Sequence, residues 1–220
     1  MNFQSFKTII LPITTILFIF ILWKSPLNID YFDTIIATII VLLVSLIEYK
    51  KTFIKSLGFN AENFTAKKIL IKAPIIAFVL FLVYYYILIP SVTFFTKAPI
   101  DFSDFDTIKN DYTLFFISII FIWISAAFGE EIVWRGYFMK QFTKLFGKTN
   151  IALLINILLF GVLFGYLHSY QGITGQIITG ILGIVLSIIF HFNKNDLWTN
   201  IAIHGFFDSF ALIALYLDFL

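Results

Sequence analysis

The chain has 220 residues, of which 60% are hydrophobic and only 13% are charged. An average soluble domain has about 25% charged residues, so this composition excludes an ordinary cytosolic fold. The formal net charge is +2, and the 15 Lys and Arg stand in short clusters between apolar runs, which gives no reason to expect nucleic-acid binding. The chain has no cysteine, so any metal would have to be held by His, Glu or Asp.

Seven apolar runs follow one another along the chain. They cover residues 8–23, 34–48, 69–89, 113–139, 151–167, 174–192 and 197–219. A spanning helix needs about 20 residues, so a chain of this length holds about seven spans, in a range of about six to eight. The sequence therefore predicts an all-α, polytopic transmembrane helix bundle. We expect a single integral membrane domain over residues 1–220, with no separate soluble domain.

The connections between these runs alternate in charge. The segment 49–68 carries five lysines, whereas the segment 90–111 carries four aspartates. The positive-inside rule places the first segment in the cytoplasm, together with the lysine-containing segments 140–148 and 193–195. We therefore expect a multi-pass protein whose N-terminus is cytoplasmic. Its richness in Ile, Phe, Lys and Asn is compatible with an AT-rich genome and favours a bacterial cytoplasmic membrane.

The fourth run contains three ionisable residues: Glu130, Glu131 and Arg135. Each such residue at the bilayer centre costs about 2.5–3.5 kcal/mol on insertion scales, so the group needs partners or a function. Glu131 and Arg135 are four positions apart, with the acid first, and can form an ion pair on one helix face. Glu130 is displaced by about 100° from Glu131 and needs a partner elsewhere.

Later runs supply candidate partners in His168, His204 and Asp208. Glu130 precedes Lys140 by ten positions and His204 follows Lys194 by ten, which puts both about 15 Å from the cytoplasmic ends of their helices. His168 and Glu130 are also equally distant from a turn near Thr149, but the fifth run is apolar from residue 151, so counting leaves the depth of His168 open. We therefore expect these ionisable side chains to share a polar cavity at membrane depth.

The residue types in this cavity point to hydrolysis. Glu130 can act as a general base that takes a proton from water and returns it to a leaving amine. His168 and His204 can position that water, stabilise an oxyanion or bind a divalent cation. Together with Asp208 they form a two-His, one-carboxylate set that is compatible with zinc. The chain has no H-E-x-x-H, G-x-S-x-G or Gly-rich phosphate motif, so the familiar soluble hydrolase classes lack support.

Three motifs resemble those of the CAAX prenyl protease and bacteriocin-processing (CPBP, or Abi) family of intramembrane proteases. Two Glu, three variable positions and Arg occur as Glu130, Glu131 and Arg135. Phe, three positions and His occur as Phe164 and His168, and His, three positions and Asn or Asp occur as His204 and Asp208. The motifs stand in the family's order on three separate runs, within a core at about 113–219.

The resemblance implies peptide-bond hydrolysis in a membrane-embedded or lipid-modified peptide, near the cytoplasmic side. It implies that Glu130 activates water, with His168 beside it and with His204 and Asp208 on the oxyanion or metal side. Glu131 and Arg135 form the supporting ion pair in this interpretation. Both a zinc enzyme with His168, His204 and Asp208 as ligands and a metal-independent glutamate protease are compatible with it.

Two other functions fit the buried charges. A non-catalytic immunity or scaffold protein would use the cavity only structurally. A proton-coupled transporter would use the buried Glu and His as a proton relay, although the chain lacks the duplicated halves typical of transporters.

Overall fold

The computed structural model describes residues 6–25, 32–109 and 111–220, and every regular element in these ranges is a helix. The predicted cytoplasmic N-terminus falls on residues 1–5 and lies outside the described residues. The all-α prediction is confirmed.

Each predicted apolar run forms one helix. In the described ranges these are α1 (Thr8–Trp23), α2 (Asp33–Tyr49), α3 (Lys68–Thr96), α4 (Tyr112–Phe146), α5 (Asn150–Leu167), α6 (Ser169–Phe192) and α7 (Leu197–Tyr216). The helices α3 to α7 are long and apolar enough to cross a membrane, whereas α1 is apolar but shorter. The chain therefore forms a polytopic helical membrane bundle, and the predicted span count is broadly consistent with it.

Two helices extend seven residues past the C-terminal boundaries expected from the sequence. The helix α3 continues through Pro90 to Thr96, although the apolar run ends at Ile89. A wider, π-helical turn over Tyr84–Leu88 precedes the proline, and proline itself removes one hydrogen bond from the helix because it lacks an N–H group. The helix α4 likewise continues past residue 139 to Phe146, so that its basic end runs straight into the turn before α5.

Side-chain caps fix the starts of the three helices that carry the motifs. The Asp111 side chain accepts a hydrogen bond from Leu114 N at the start of α4, and the Thr149 side chain accepts one from Ala152 N at the start of α5. The Asp196 carboxylate caps α7 and also accepts from the Thr199 hydroxyl at 2.7 Å. These caps satisfy otherwise unpaired N–H groups and set where each motif helix begins.

The segment between α2 and α3 packs under the start of α7. A short helix, Phe53–Leu57, ends in a turn at Gly58, whose φ of +109° is a conformation that favours glycine. The Gly58 carbonyl accepts a hydrogen bond from Leu197 N at 3.2 Å. Lys68 forms an ion pair of 3.3 Å with Asp196. The lysine-rich segment and the start of α7 therefore share one end of the bundle.

Candidate active site

The first motif lies in a stretch of α4 with an unusual helical geometry. Residues Ile122–Glu130 and Ile132–Phe138 are π-helical, with hydrogen bonds that span five residues instead of four. Such wide turns are rare and are frequent at functional sites. All three ionisable residues of the motif are therefore presented from this stretch toward the neighbouring helices.

Glu131 is the centre of the buried polar network. Its side chain is fully buried, and its Oε1 accepts a hydrogen bond from Arg135 Nη1 at 2.7 Å and lies 3.0 Å from His204 Nδ1. Its Oε2 accepts from Asn200 Nδ2 at 2.6 Å. Arg135 also donates from Nη2 to the Gly183 carbonyl at 2.8 Å, which ties α4 to α6. A buried carboxylate needs such compensation, because an unpaired one is strongly destabilising.

His204 bridges two carboxylates. Its Nδ1 lies 3.0 Å from Glu131 Oε1, and its Nε2 lies 3.3 Å from Asp208 Oδ2. A neutral imidazole has one donor and one acceptor, so only the imidazolium donates to two ionised carboxylates at once. The Asp208 side chain keeps 24% of its surface exposed, whereas that of His204 keeps 7%. His204 is therefore held at Nδ1 by the buried Glu131, and its Nε2 lies on the side of the more exposed Asp208.

Glu130 interacts with the same cluster through electrostatics and not through a hydrogen bond. Its side chain is half-buried and makes no hydrogen bond to another described residue. It interacts electrostatically with His204 and Asp208. The sequence predicted that the lone carboxylate of Glu130 would meet both imidazoles, whereas the carboxylate in contact with His204 is that of Glu131. The reason is that α7 packs against the face of α4 that carries Glu131 and Arg135.

His168 lies at the end of α5, where the helix turns into α6. Its Nδ1 donates to the Phe164 carbonyl at 2.8 Å, since a carbonyl oxygen can only accept. The centre of the Phe164 ring lies 4.7 Å from that of the His168 ring and 6.4 Å from that of the His204 ring. The Arg135 guanidinium lies 5.1 Å from the centre of the Phe164 ring. His168 also interacts electrostatically with His204 and Asp208. Phe164 thus joins the second motif to the first and the third.

His168, His204 and Asp208 are the predicted metal ligands, and the structure shows how their side chains are engaged. Both ring nitrogens of His204 face carboxylates, so neither presents a free lone pair. Among the residues that the structure describes, no group of three or more His, Asp and Glu side chains is placed to hold a metal ion. His168 Nε2 is the ring nitrogen that keeps a lone pair when Nδ1 carries the proton. Zinc binding by His168, His204 and Asp208 therefore stays a prediction.

Sequence reasoning missed two polar neighbours of the site. Asn200 is fully buried and contacts Glu131, and its spacing of four positions before His204 is the signal that could have revealed it. Tyr170 is half-exposed, with its ring 5.7 Å from that of His168, and it interacts electrostatically with Glu130 and Asp208. No spacing rule indicates Tyr170, because it lies in the single tight turn, Ser169–Gln171, with which α6 begins.

Residues 112–210 match the model of a protein family described as type II CAAX prenyl endopeptidase, Rce1-like. The motif-bearing segment is similar to the Rce1-like family. This match confirms the resemblance predicted from the three motifs. Comparison of the chain with curated proteins and with solved structures finds no match.

The Rce1-like segment contains every predicted site residue, from Glu130 to Asp208, and covers slightly less than half of the chain. It begins at the first residue of α4 and ends within α7. The helices α1 to α3 lie outside the match. Because the family is one of endopeptidases, the match supports a membrane protease.

Proposed function

We propose that this protein is an intramembrane endopeptidase that hydrolyses a peptide bond in a membrane-embedded or lipid-modified peptide, with Glu130 activating water. The observation that carries this proposal is the contrast between the two adjacent acids. Both carboxylate oxygens of Glu131 accept hydrogen bonds, whereas Glu130 is half-buried, has no hydrogen bond to a described residue and interacts electrostatically with His204 and Asp208. The family match on the same segment supports it.

The arrangement supports a general-base mechanism. Glu130 takes a proton from a water molecule as the water oxygen attacks the carbonyl carbon of the substrate. The negative charge that develops on the carbonyl oxygen is stabilised from the side of His204, which Glu131 and Asp208 hold in place. When the carbon–nitrogen bond breaks, Glu130 returns the proton to the leaving amine. His168 lies beside this path, and its Nε2 can accept a hydrogen bond from the attacking water.

The lipid-modified substrate is proposed from the family description alone. A C-terminal C-a-a-X sequence is the signal for prenylation at the cysteine. A suitable probe is therefore a fluorogenic peptide with a farnesylated cysteine four residues from its C-terminus, mixed with the purified protein in lipid nanodiscs. An otherwise identical peptide without the farnesyl group reports whether the lipid contributes to recognition.

The substitution Glu130→Gln tests the proposed base. It removes the ability to accept a proton with almost no change in volume, so kcat should fall by about 10²–10⁴-fold, the usual contribution of a general base. Because Glu130 has no hydrogen bond to a described residue, the melting temperature should stay close to that of the wild type. The matched control is Glu62→Gln, which makes the same chemical change on an exposed residue outside the motifs.

Three outcomes would contradict this proposal. Cleavage by Glu130→Gln at the wild-type rate would remove Glu130 from the mechanism. Unchanged cellular function of that variant would favour the scaffold or immunity function, and substrate flux into proteoliposomes without cleavage would favour a transporter.

The same peptide assay after treatment of the protein with a chelator should retain activity. Loss of activity that zinc restores would instead show metal catalysis.

A further inference from the structure

Asn200 has a fixed orientation beside the site. Its side chain is fully buried in α7, and its Nδ2 donates to Glu131 Oε2 at 2.6 Å and to the Leu186 carbonyl at 3.3 Å. Both partners are acceptors, so turning the amide over would place its oxygen against two other oxygens. The nitrogen of Asn200 must therefore face Glu131. Its Oδ1 is buried without a hydrogen-bond partner, which is unusual for a buried polar atom.

Asn200, His204 and Asp208 lie four residues apart and form one polar stripe along α7. Two residues of this stripe contact Glu131, one at each of its carboxylate oxygens. Oε2 is bound by Asn200, while Oε1 faces Arg135 and His204. Rotation about the last bond of a glutamate side chain has only broad, weak preferences, so hydrogen bonds decide where the two oxygens lie. Without Asn200, Oε2 would lose its partner, and the carboxylate would be held at Oε1 alone, by Arg135 and His204.

We propose that Asn200 is a positioning residue for catalysis, which acts through Glu131 to hold His204 toward Asp208 and the reacting carbonyl. This inference rests on the proposed function, because it assigns His204 to the site where the substrate oxygen becomes negative. Asn200 does not touch the substrate. Its role is to fix the carboxylate behind the imidazole, in the way that outer-shell hydrogen bonds orient catalytic and ligating histidines in other sites.

Asn156 offers a matched control. It too is a buried asparagine inside a spanning helix, and its Nδ2 donates to the Met139 carbonyl at 2.9 Å and to Thr143 Oγ1 at 3.1 Å. Its Oδ1 is also buried without a partner. The two residues therefore differ in what their amides hold: Asn156 ties α5 to the end of α4, whereas Asn200 holds Glu131.

The test compares Asn200→Ala with Asn156→Ala in nanodiscs. Both variants should have lower melting temperatures, because both lose a buried amide. Asn200→Ala should also lose about 10–100-fold in kcat on the farnesylated peptide, with KM within about twofold of the wild type, as when other outer-shell partners are removed. Asn156→Ala should keep its kcat. If Asn200→Ala does not fold, Asn200→Ser also removes the amide donor, because a serine hydroxyl in a helix bonds back to the carbonyl four residues earlier, and it should lower kcat by the same 10–100-fold, a fall of about that size being usual for lost outer-shell partners.

A spectroscopic measurement separates this inference from the proposed function. The chain has three histidines, so ¹⁵N labelling of histidine gives few imidazole signals, which single His→Gln variants assign. Asn200→Ala should shift the His204 signals, whereas Asn156→Ala should leave them in place. Unchanged His204 signals, an unchanged kcat in Asn200→Ala, or an equal loss of kcat in Asn156→Ala would each overturn the inference. A wild-type protein that cleaves nothing would instead overturn the proposed function, while the shift of the His204 signals would still report the positioning.

Discussion

The ion pair between Glu131 and Arg135 is the most demanding interaction at the residue scale. Both side chains keep no more than 2% of their surface exposed, and each has further partners. Removing water from two charges costs several kcal/mol per ion, and good geometry with additional hydrogen bonds is needed to recover that cost. The Gly183 carbonyl and Asn200 supply those bonds. The pair is thus stable only as part of the whole network.

The substitution Arg135→Met should destabilise the protein by about 3–5 kcal/mol, because it leaves the charge of Glu131 buried without its main counter-ion. The double variant Glu131→Gln/Arg135→Met removes both charges and should recover part of that loss. Reversible unfolding in mixed detergent measures both effects. If the double variant were less stable than Arg135→Met, the uncompensated charge would not be the source of the instability.

Some of these residue-scale contacts could be predicted from the sequence. Four-residue spacing on a helix correctly indicated the contacts between Glu131 and Arg135 and between His204 and Asp208. The contact between His204 and Glu131 joins residues 73 positions apart. It depends on how α7 is rotated against α4, and no local pattern specifies that rotation. The contact between Asn200 and Glu131 depends on the same rotation and could not be predicted either.

At the scale of elements, the hairpin of α5 and α6 holds His168 near the other motifs. Glycines line the contact between these helices, and small residues of this kind let helix backbones approach closely inside membranes. A side chain at Gly165 would collide with the backbone of α6 at Gln176 and Gly180. At Gly180, by contrast, the nearest atom to an added Cβ would be 3.4 Å away, which is an ordinary contact.

The substitution Gly165→Ala should therefore force α5 away from α6 and displace His168, three residues further along the chain. We expect a lower melting temperature and a loss of cleavage of at least about tenfold, because small displacements of positioned groups greatly reduce rates. Gly180→Ala adds the same methyl group to the same interface and should change neither quantity appreciably. Thermal unfolding and the peptide assay measure both variants. Equal effects of the two substitutions would argue against the close approach at Gly165.

The existence and order of the helices could be predicted, whereas their local geometry could not. Each of the seven apolar runs became a helix because lipid offers the backbone N–H and C=O groups no hydrogen-bond partner, so that these groups must pair within the helix. The π-helical stretch of α4 has no counterpart in the hydrophobic pattern, since residues around its circumference are apolar. The extension of α3 past Pro90 was missed because proline usually ends a helix.

At the scale of the whole molecule, the charges of the connections separate to opposite ends of the bundle. Asp196 caps the start of α7 and pairs with Lys68, while Asp218, just after the end of α7, pairs with Lys109 at 3.1 Å. The lysine-rich segment 49–68 therefore lies near one end of α7, and Lys109, in the aspartate-rich segment 90–111, lies near the other. The separation of charge that the sequence predicted is present in the fold, and the positive-inside rule predicts that the first end faces the cytoplasm.

Because the chain contains no cysteine, single cysteines can test this orientation without any prior substitution. Ser103 lies in the aspartate-rich segment and Lys148 in the turn between α4 and α5, and both are exposed. In intact bacterial cells, a membrane-impermeant maleimide should label Ser103→Cys. It should label Lys148→Cys only after the cells have been permeabilised. The helix α4 is the single span between them, so labelling of both from the same side would mean that α4 does not cross the membrane. The reverse pattern would mean that the whole bundle is inverted, with the acidic end in the cytoplasm.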